Sequence, residues 1–509
     1  MRRLFAFFAV AGVGLVLFLV LGIASCGYIA LPGGFIVNFP GLPGSQREPL
    51  PDDALRARLT LPEGFSFDTW AAGLPGPRLL HVTDAGDLLV SAPRDGKVFL
   101  VQRDRNGDGS SDGVDVLLEG LDRPHGLDTF EGQLYVAEGT AILRVPFDAT
   151  ARTVGEGERI VTGLPDGGNH WTRTVKVGPD RGLYVSVGSS CNVCEEEDPR
   201  RAAIVRYELD GSGEELFATG LRNAVDFAWQ PSTGDLYATD NGRDLLGDDF
   251  PPEELNRVVK GGFYGWPYAN PPAVPDPDFG DKRPDKVAAT IPPAHDLPPH
   301  SAPLGIAFYE GAAFPARYHG AAFVALHGSW NRREKQGYEV VAVFFDPSGT
   351  IRSEPFFSGF EIDEDVAGRP VGIAVGPEGE LFVSDDFTGA VYRITHGSAA
   401  GRARAADASA PARAAAPAIR RDPLAAIPAA DREAALAAGA RLWEQNDCAS
   451  CHVHGEKGAP PRILTDLSAK FDVTSLEKFL QAPQPPMPLY PFTDAERREL
   501  SVWLLATFR

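Results

Sequence analysis

Methionine is nearly missing from this chain of 509 residues: one is the initiator and the other is Met487. Cysteine is almost as scarce, with five residues at positions 26, 191, 194, 448 and 451. With so few sulfurs, each can be assigned individually. Basic charge is also short. Forty-eight Lys and Arg face 69 Asp and Glu, for a formal net charge of −21. That balance excludes nucleic acid and anionic lipid surfaces as principal partners. It suits a solvated exterior and a basic partner.

What is present begins with the termini. Met1-Arg2-Arg3 precedes an uninterrupted apolar run from Leu4 to Ala24. This is an export signal or membrane anchor, not part of a fold. The run ends Ile23-Ala24-Ser25-Cys26-Gly27. Small residues before Cys26 resemble a lipoprotein processing site; an uncleaved membrane helix is the alternative. Both predict an extracytoplasmic, periplasmic protein tethered to the membrane by lipid or helix.

At the other end stands Cys448-Ala449-Ser450-Cys451-His452. Cys-x-x-Cys-His is the attachment signature of c-type haem. Cys448 and Cys451 would bond the haem covalently, and His452 would ligate its iron. A zinc site would want further ligands. A second axial ligand is often methionine, and Met487 lies in the rigid setting Pro485-Pro486-Met487-Pro488. Helical patterns at Asp431–Gln445 and Thr493–Phe508 flank the motif. Residues 431–509 therefore resemble a small all-α, class I-like cytochrome c domain. Cys191 and Cys194 are followed by Glu195 and cannot be a second haem motif. In an oxidising compartment they are expected to form a loop disulfide.

Between the termini runs a repeat: a Gly-containing turn, then a short β-branched or aromatic run. It occurs six times, at Gly86–Val90, Gly132–Val136, Gly182–Val185, Gly234–Ala238, Gly320–Val324 and Gly379–Val383. A second strand-like run follows, such as Lys97–Val101 or Ala390–Ile394. Units of this size predict an all-β, six-bladed β-propeller over 61–396. The long fourth-to-fifth interval holds a Pro-rich insertion, Pro267–Pro303. Residues 27–60 and the Ala/Arg/Pro-rich stretch 397–430 are expected to be linkers. Ahead of each repeat, where the innermost strand of a blade would begin, polar residues cluster. They are Arg78 with His81, Pro124-His125-Gly126, Asn169-His170, Arg222-Asn223, His300-Ser301 and Arg369-Pro370. One cluster per blade converges on the channel mouth and makes a basic, imidazole-rich cradle for an anionic ligand.

Several segments resemble the soluble quinoprotein sugar dehydrogenases, the glucose/sorbosone dehydrogenase family. They are Arg123–Leu127, Gly168–His170 ahead of Val175–Asp180, Gly220–Asn223, Glu253–Asn256, Lys260–Pro267 and His327–Arg332. The Ser329–Arg332 segment and the Cys191/Cys194 loop look like the sorbosone-dehydrogenase branch. The resemblance implies pyrroloquinoline quinone (PQQ) and calcium on a six-bladed propeller. His170 would be the base that takes the sugar hydroxyl proton. Arg222 would polarise the quinone carbonyl. His125, Asn223, Ser301 and Arg369 would contact PQQ. Gly242 and Arg243 would offer carbonyls to a PQQ-bound calcium, and Glu254 with the Tyr264 carbonyl would hold a structural calcium. Three departures stand out. Ser189 and Ser190 replace the aspartate expected beside the base. His125 replaces a glutamine. The cofactor lysine has no match, Ser329 and Arg332 being the nearest candidates.

The expected activity is PQQ-dependent oxidation of a sugar or sugar aldehyde, with electrons leaving through haem c to a respiratory acceptor. Two rivals are a calcium-dependent propeller lactonase and a non-catalytic carbohydrate-binding propeller carrying a cytochrome. The first needs converging acidic ligands and gives no reason for the haem.

Overall fold

The computed structural model describes residues 28–30, 36–38, 47–346, 348–397 and, towards the C-terminus, 424, 427–446, 448, 452, 464, 467, 471, 473–481, 490 and 492–508. It divides into two units, residues 1–403 and 404–509. The N-terminal apolar run, most of the 397–430 stretch, Cys451 and Met487 lie outside the described residues. Among the described residues no helix is long and apolar enough to cross a membrane.

The first unit is a six-bladed β-propeller. Each repeat supplies the second strand of a blade: Leu88–Ala92, Gln133–Ala137, Leu183–Val187, Leu236–Asp240, Ala322–Leu326 and Leu381–Asp385. These strands are buried on both faces almost throughout. Blades stack face to face, so a central strand has no solvent side and reads as a continuous apolar run. The innermost strands are Leu80–Val82, Leu127–Phe130, Arg173–Val177, Ala224–Trp229, Pro303–Phe308 and Pro370–Val375. Each pairs antiparallel with its second strand, and neighbouring innermost strands touch around a closed ring. Glycines allow the approach. A Cβ on Gly126 would lie 2.5 Å from Thr174 Cα, and one on Gly305 would lie 2.4 Å from the Val371 carbonyl. The ring closes because Phe65–Ala71 pairs antiparallel with Ala390–His396, completing the sixth blade with the first strand of the domain. Closure joins the propeller's two ends in one blade, so no blade is left incomplete.

Residues 47–60, within the stretch expected to be a linker, pack onto the propeller. The helix Asp52–Arg58 buries Leu55, and Leu59 follows it into a cluster with Phe356, Phe357 and Phe360. Their i, i+4 spacing puts both on one face. The Pro-rich insertion lies inside blade four. It carries the strands Ala269–Asn270 and Val274–Pro275 and the helix Pro284–Ala288, then returns as the fourth strand, His295–Leu297.

The second unit is helical: Ala429–Gln445, Val473–Gln481 and Asp494–Thr507. Leu442, Leu476, Leu480, Leu500, Leu504 and Leu505 form its core. The first and last helices meet at Gly439, where a Cβ would stand 2.4 Å from the Glu499 carbonyl. Thr493 and Glu496 form a reciprocal capping box, which satisfies two N–H groups that the first turn leaves unpaired. Cys448 is buried, and the His452 ring centroid lies 5.8 Å from that of Trp443.

Candidate active site at the channel mouth

All six polar clusters fall at the same end of the innermost strands, because each precedes its strand by no more than a few residues. His81 differs. It lies on its strand, with Nε2 2.7 Å from Thr129 Oγ1 and Nδ1 3.4 Å from Asp128. With the Lys176–Asp226 pair at 2.7 Å, it belongs to a network on the strands rather than at their entry.

On the side of blades three and four, His170 Nδ1 is 3.0 Å from the Ser189 carbonyl and 2.8 Å from Ser189 Oγ. A carbonyl only accepts, so Nδ1 carries the proton. The Ser189 hydroxyl donates its own proton to the Cys191 carbonyl at 2.8 Å, so its oxygen also accepts from Nδ1. Nε2 then holds the lone pair. Burial, and next the Arg222 charge, push the imidazole down to about 3. It is neutral at pH 7, with the Nε2 lone pair free of a proton. Gly188 makes room here: a Cβ would lie 2.6 Å from both His170 Cβ and Asn223 Oδ1, so these two residues are neighbours.

Arg222 is buried and held on three sides. Nε donates to the Asn192 carbonyl at 2.9 Å and Nη1 to the Asn241 carbonyl at 3.0 Å. Nη2 donates to Asn192 Oδ1 at 2.9 Å and to Asp244 at 2.7 Å. Those four contacts occupy most of the five N–H donors of a guanidinium. What Arg222 presents to the mouth is therefore mainly a fixed positive charge.

On the side of blades five, six and one, Asp386 receives Arg78 Nη1 at 2.9 Å and His327 Nε2 at 2.9 Å. Burial would raise this carboxyl, but His327, Arg78 and Arg369 hold it far below the usual carboxylate range. Burial and Arg369 push His327 down to about 4. Among the described residues the Arg369 guanidinium makes long hydrogen bonds, at 3.3 Å to the His327 carbonyl and 3.5 Å to that of Gly328, and lies 5.9 Å from the Tyr338 ring centre. Its fork remains available for a carboxylate. His125 is fully buried. Burial and then Arg78 lower it well below the ordinary histidine value.

Several polar atoms around this mouth are buried without partners among the described residues. They are His125 Nε2, Asn223 Oδ1, Ser301 Oγ, and both side-chain polar atoms of Asn331. Buried polar groups are normally paired, so such a set points to a ligand with its own donors and acceptors. Asn331 was not singled out by sequence, although it lies in the Ser329–Arg332 segment. Ser329 and Arg332 serve the loop instead. Ser329 Oγ accepts from Gln336 N–H at 3.0 Å, and Arg332 reaches the Asp248 carbonyl at 2.7 Å.

Beneath the mouth, blade four gathers acids. Asp240 stands opposite Glu254, and Glu254 opposite Asp296. Glu253 accepts the Gly242 N–H at 2.5 Å. Burial raises Asp240 and Glu254, and pushes Glu253 up to about 8. Arg243 pairs with Asp276 and Asp278. Tyr264 packs in the seam with Val258, its hydroxyl donating to the Arg257 carbonyl at 2.7 Å. Cys191, Cys194 and Glu196 also bring possible ligand atoms within 4.8 Å of one another. The two sulfurs, however, are joined in a disulfide as expected.

The TrAA12-like family profile matches residues 59–268 and 275–397. A protein of Borreliella burgdorferi without a described function is 31% identical over 358 residues, 67% of this chain and 92% of its own. The pyrroloquinoline quinone-dependent pyranose dehydrogenase of Coprinopsis cinerea is 25% identical over 415 residues, covering 67% of this chain and 55% of its own length. The chain thus spans about half of that enzyme. The holo PQQ domain of the Coprinopsis pyranose dehydrogenase superposes with a TM-score of 0.57 at 22% identity, covering 66% of this chain and 97% of that domain. At that identity the likeness establishes the fold.

Proposed function

The chain belongs to the TrAA12-like family, and on that premise we propose that it oxidises a sugar or sugar aldehyde with PQQ and delivers the electrons through haem c to a respiratory acceptor. PQQ supplies the hydride acceptor, and haem c the one-electron outlet. One observation carries this reading: a neutral imidazole with its free nitrogen fixed as Nε2, beside a buried guanidinium, in a mouth with unpaired buried polar atoms.

The mouth suits a tricarboxylate. Arg369 and Arg78 offer cationic N–H groups, and Asn223, Ser301, Asn331 and His125 offer the unpaired polar atoms. His170 Nε2 takes the proton of the substrate hydroxyl. Arg222 favours negative charge developing near it. The buried acids Asp240, Glu253 and Glu254 suit a hard cation such as calcium, which would offset charges otherwise costly to bury. The Cys448–His452 signature and the apolar N-terminus support a haem-bearing, membrane-tethered, periplasmic protein. The Ser329–Arg332 segment and the Cys191/Cys194 loop favour the sorbosone-like branch.

The test is reconstitution of the full-length protein with PQQ and calcium, followed at the haem absorbance band across a panel of aldoses and sorbosone. Sugar-driven haem reduction that requires PQQ supports the reading. Lactone hydrolysis without PQQ, or a haem reducible by dithionite but by no sugar in the panel, overturns it.

A further inference from the structure

The Cys191–Cys194 disulfide closes a short loop directly after the strand Leu183–Val187. The loop touches both principal residues of the mouth. Fully buried Ser189 donates its N–H to the Arg222 carbonyl at 2.8 Å and receives His170 Nδ1 on its carbonyl and hydroxyl. Its hydroxyl proton is committed to the Cys191 carbonyl. On the other side of Cys191, the Asn192 carbonyl accepts from Arg222 Nε at 2.9 Å and from Trp266 Nε1 at 3.1 Å. Asn192 Oδ1 accepts from Arg222 Nη2 and from Asp244 N–H, both at 2.9 Å, and its Nδ2 donates to the Asp244 carbonyl at 3.0 Å.

Three of the acceptors that the loop itself supplies, on Ser189, Cys191 and Asn192, are backbone carbonyls. A carbonyl is aimed only by the backbone dihedrals around it, and free rotation there would point it elsewhere. The disulfide joins Cys191, directly before Asn192, to Cys194, two residues after it. We propose that this loop is the positioning element of the site: through Ser189 it fixes the tautomer of His170, and through Asn192 it fixes the guanidinium of Arg222. A disulfide-held hydroxyl and carbonyl thus do the work of the aspartate that the chain lacks. In assigning the loop to a hydride-transfer site, the proposal rests on the reading above.

The experiment uses full-length protein labelled with ¹⁵N in the histidine rings. Wild type, Ser189→Ala and the double variant Cys191→Ser/Cys194→Ser are compared, with His170→Gln identifying the His170 signals. Without cofactor, wild-type His170 should show the Nδ1–H tautomer alone and resist protonation down to pH 5. The double variant should show mixed tautomers and protonate at higher pH. Ser189→Ala, which keeps the disulfide and the carbonyl, should fall between them. In reconstituted protein, kcat should drop by about 10²-fold in the double variant with the sugar KM unchanged, the scale expected of a misplaced group. The acid limb of the rate profile should also move upward. Unchanged tautomer and acid limb in both variants overturn the proposal. If the double variant does not fold, Ser189→Ala decides alone by the same two readouts. The expected tautomer pattern in a wild type that oxidises no sugar keeps the positioning role and rejects the PQQ reading.

Discussion

On the flank of blades three and four, His170 faces a hydroxyl and a carbonyl. On the flank of blades five, six and one, His327 faces the Asp386 carboxylate. Both imidazoles are held neutral, at about 3 and about 4. A carboxylate neighbour would ordinarily raise a histidine. Here Asp386 is shared with Arg78 and Arg369, and their charges offset it. On the first flank the imidazole's own partners are neutral, and Nε2 keeps its lone pair. The second is a charged network in which Asp386 holds Arg78 directly and feels the charge of Arg369. On the proposed function, the comparison sets a chemical side against a binding side.

The sharpest way to break it is to swap one imidazole at a time. His170→Gln should lower kcat by about 10³-fold, within the range for loss of a general base, and leave PQQ affinity unchanged. His327→Gln should weaken PQQ retention and leave kcat at saturating PQQ within about tenfold, since a neutral group that only supports binding is lost. Stopped-flow haem reduction and PQQ titration measure the two. A reversed pattern would exchange the flanks.

Asp386→Asn removes the anion that the Arg78 guanidinium and the His327 imidazole share. An unpaired buried charge costs about 3 kcal/mol or more, and Arg78 would be left as one. Asp244→Asn, on the other flank, should cost less, because Arg222 keeps three contacts to Asn192 and Asn241. Urea unfolding of the two variants ranks them.

How much of this was legible depended on where the information sits. The second strands were readable because a strand buried on both faces must be apolar throughout, and a Gly turn precedes each one. The polar clusters were readable because propeller register puts equivalent positions at one end. Outer strands were not: Val114–Leu118 is half exposed and carries no strong pattern. The role of Ser189 was hidden because its carbonyl is one of the acceptors, and a carbonyl has no residue type. Asn331 was hidden because an unpaired polar atom is defined by burial, which sequence does not give. The helix Asp52–Arg58 was missed because two leucines in a polar stretch suggest a core face only once a neighbour is known.

Calcium should sharpen the same comparison through pH. Glu253 ionises near 4.5 when unfolded and near 8 when folded. Between those values the native state holds the extra proton, so stability falls as pH rises. His170 and His327 run the other way. Their folded values are depressed, so stability falls as pH drops from about 6.5 towards 3. Calcium bound to ionised acids would remove the first loss and not the second. At 100 times its dissociation constant a ligand adds about 2.7 kcal/mol. The calcium-induced rise in Tm should therefore be larger at pH 8 than at pH 5, with protons released on binding. Equal rises at both pH values would detach the acids of blade four from the metal.

The smallest expected effect compares the two units themselves. Thr493 caps the helix Asp494–Thr507, accepting from the Glu496 N–H at 3.3 Å while Glu496 returns a contact at 2.8 Å to the Thr493 N–H. Replacing such a cap by alanine costs about 1 kcal/mol. The helix it caps packs into a core of its own, built from Leu442, Leu476, Leu500 and Leu504. Thr493→Ala should thus lower the melting of the helical unit by a few degrees, as expected for about 1 kcal/mol in a small domain. It should leave the propeller transition and the apo-state His170 signals where they were. A matching shift in the propeller transition would mean that the two units unfold as one, and their treatment as independently folded units would have to be given up.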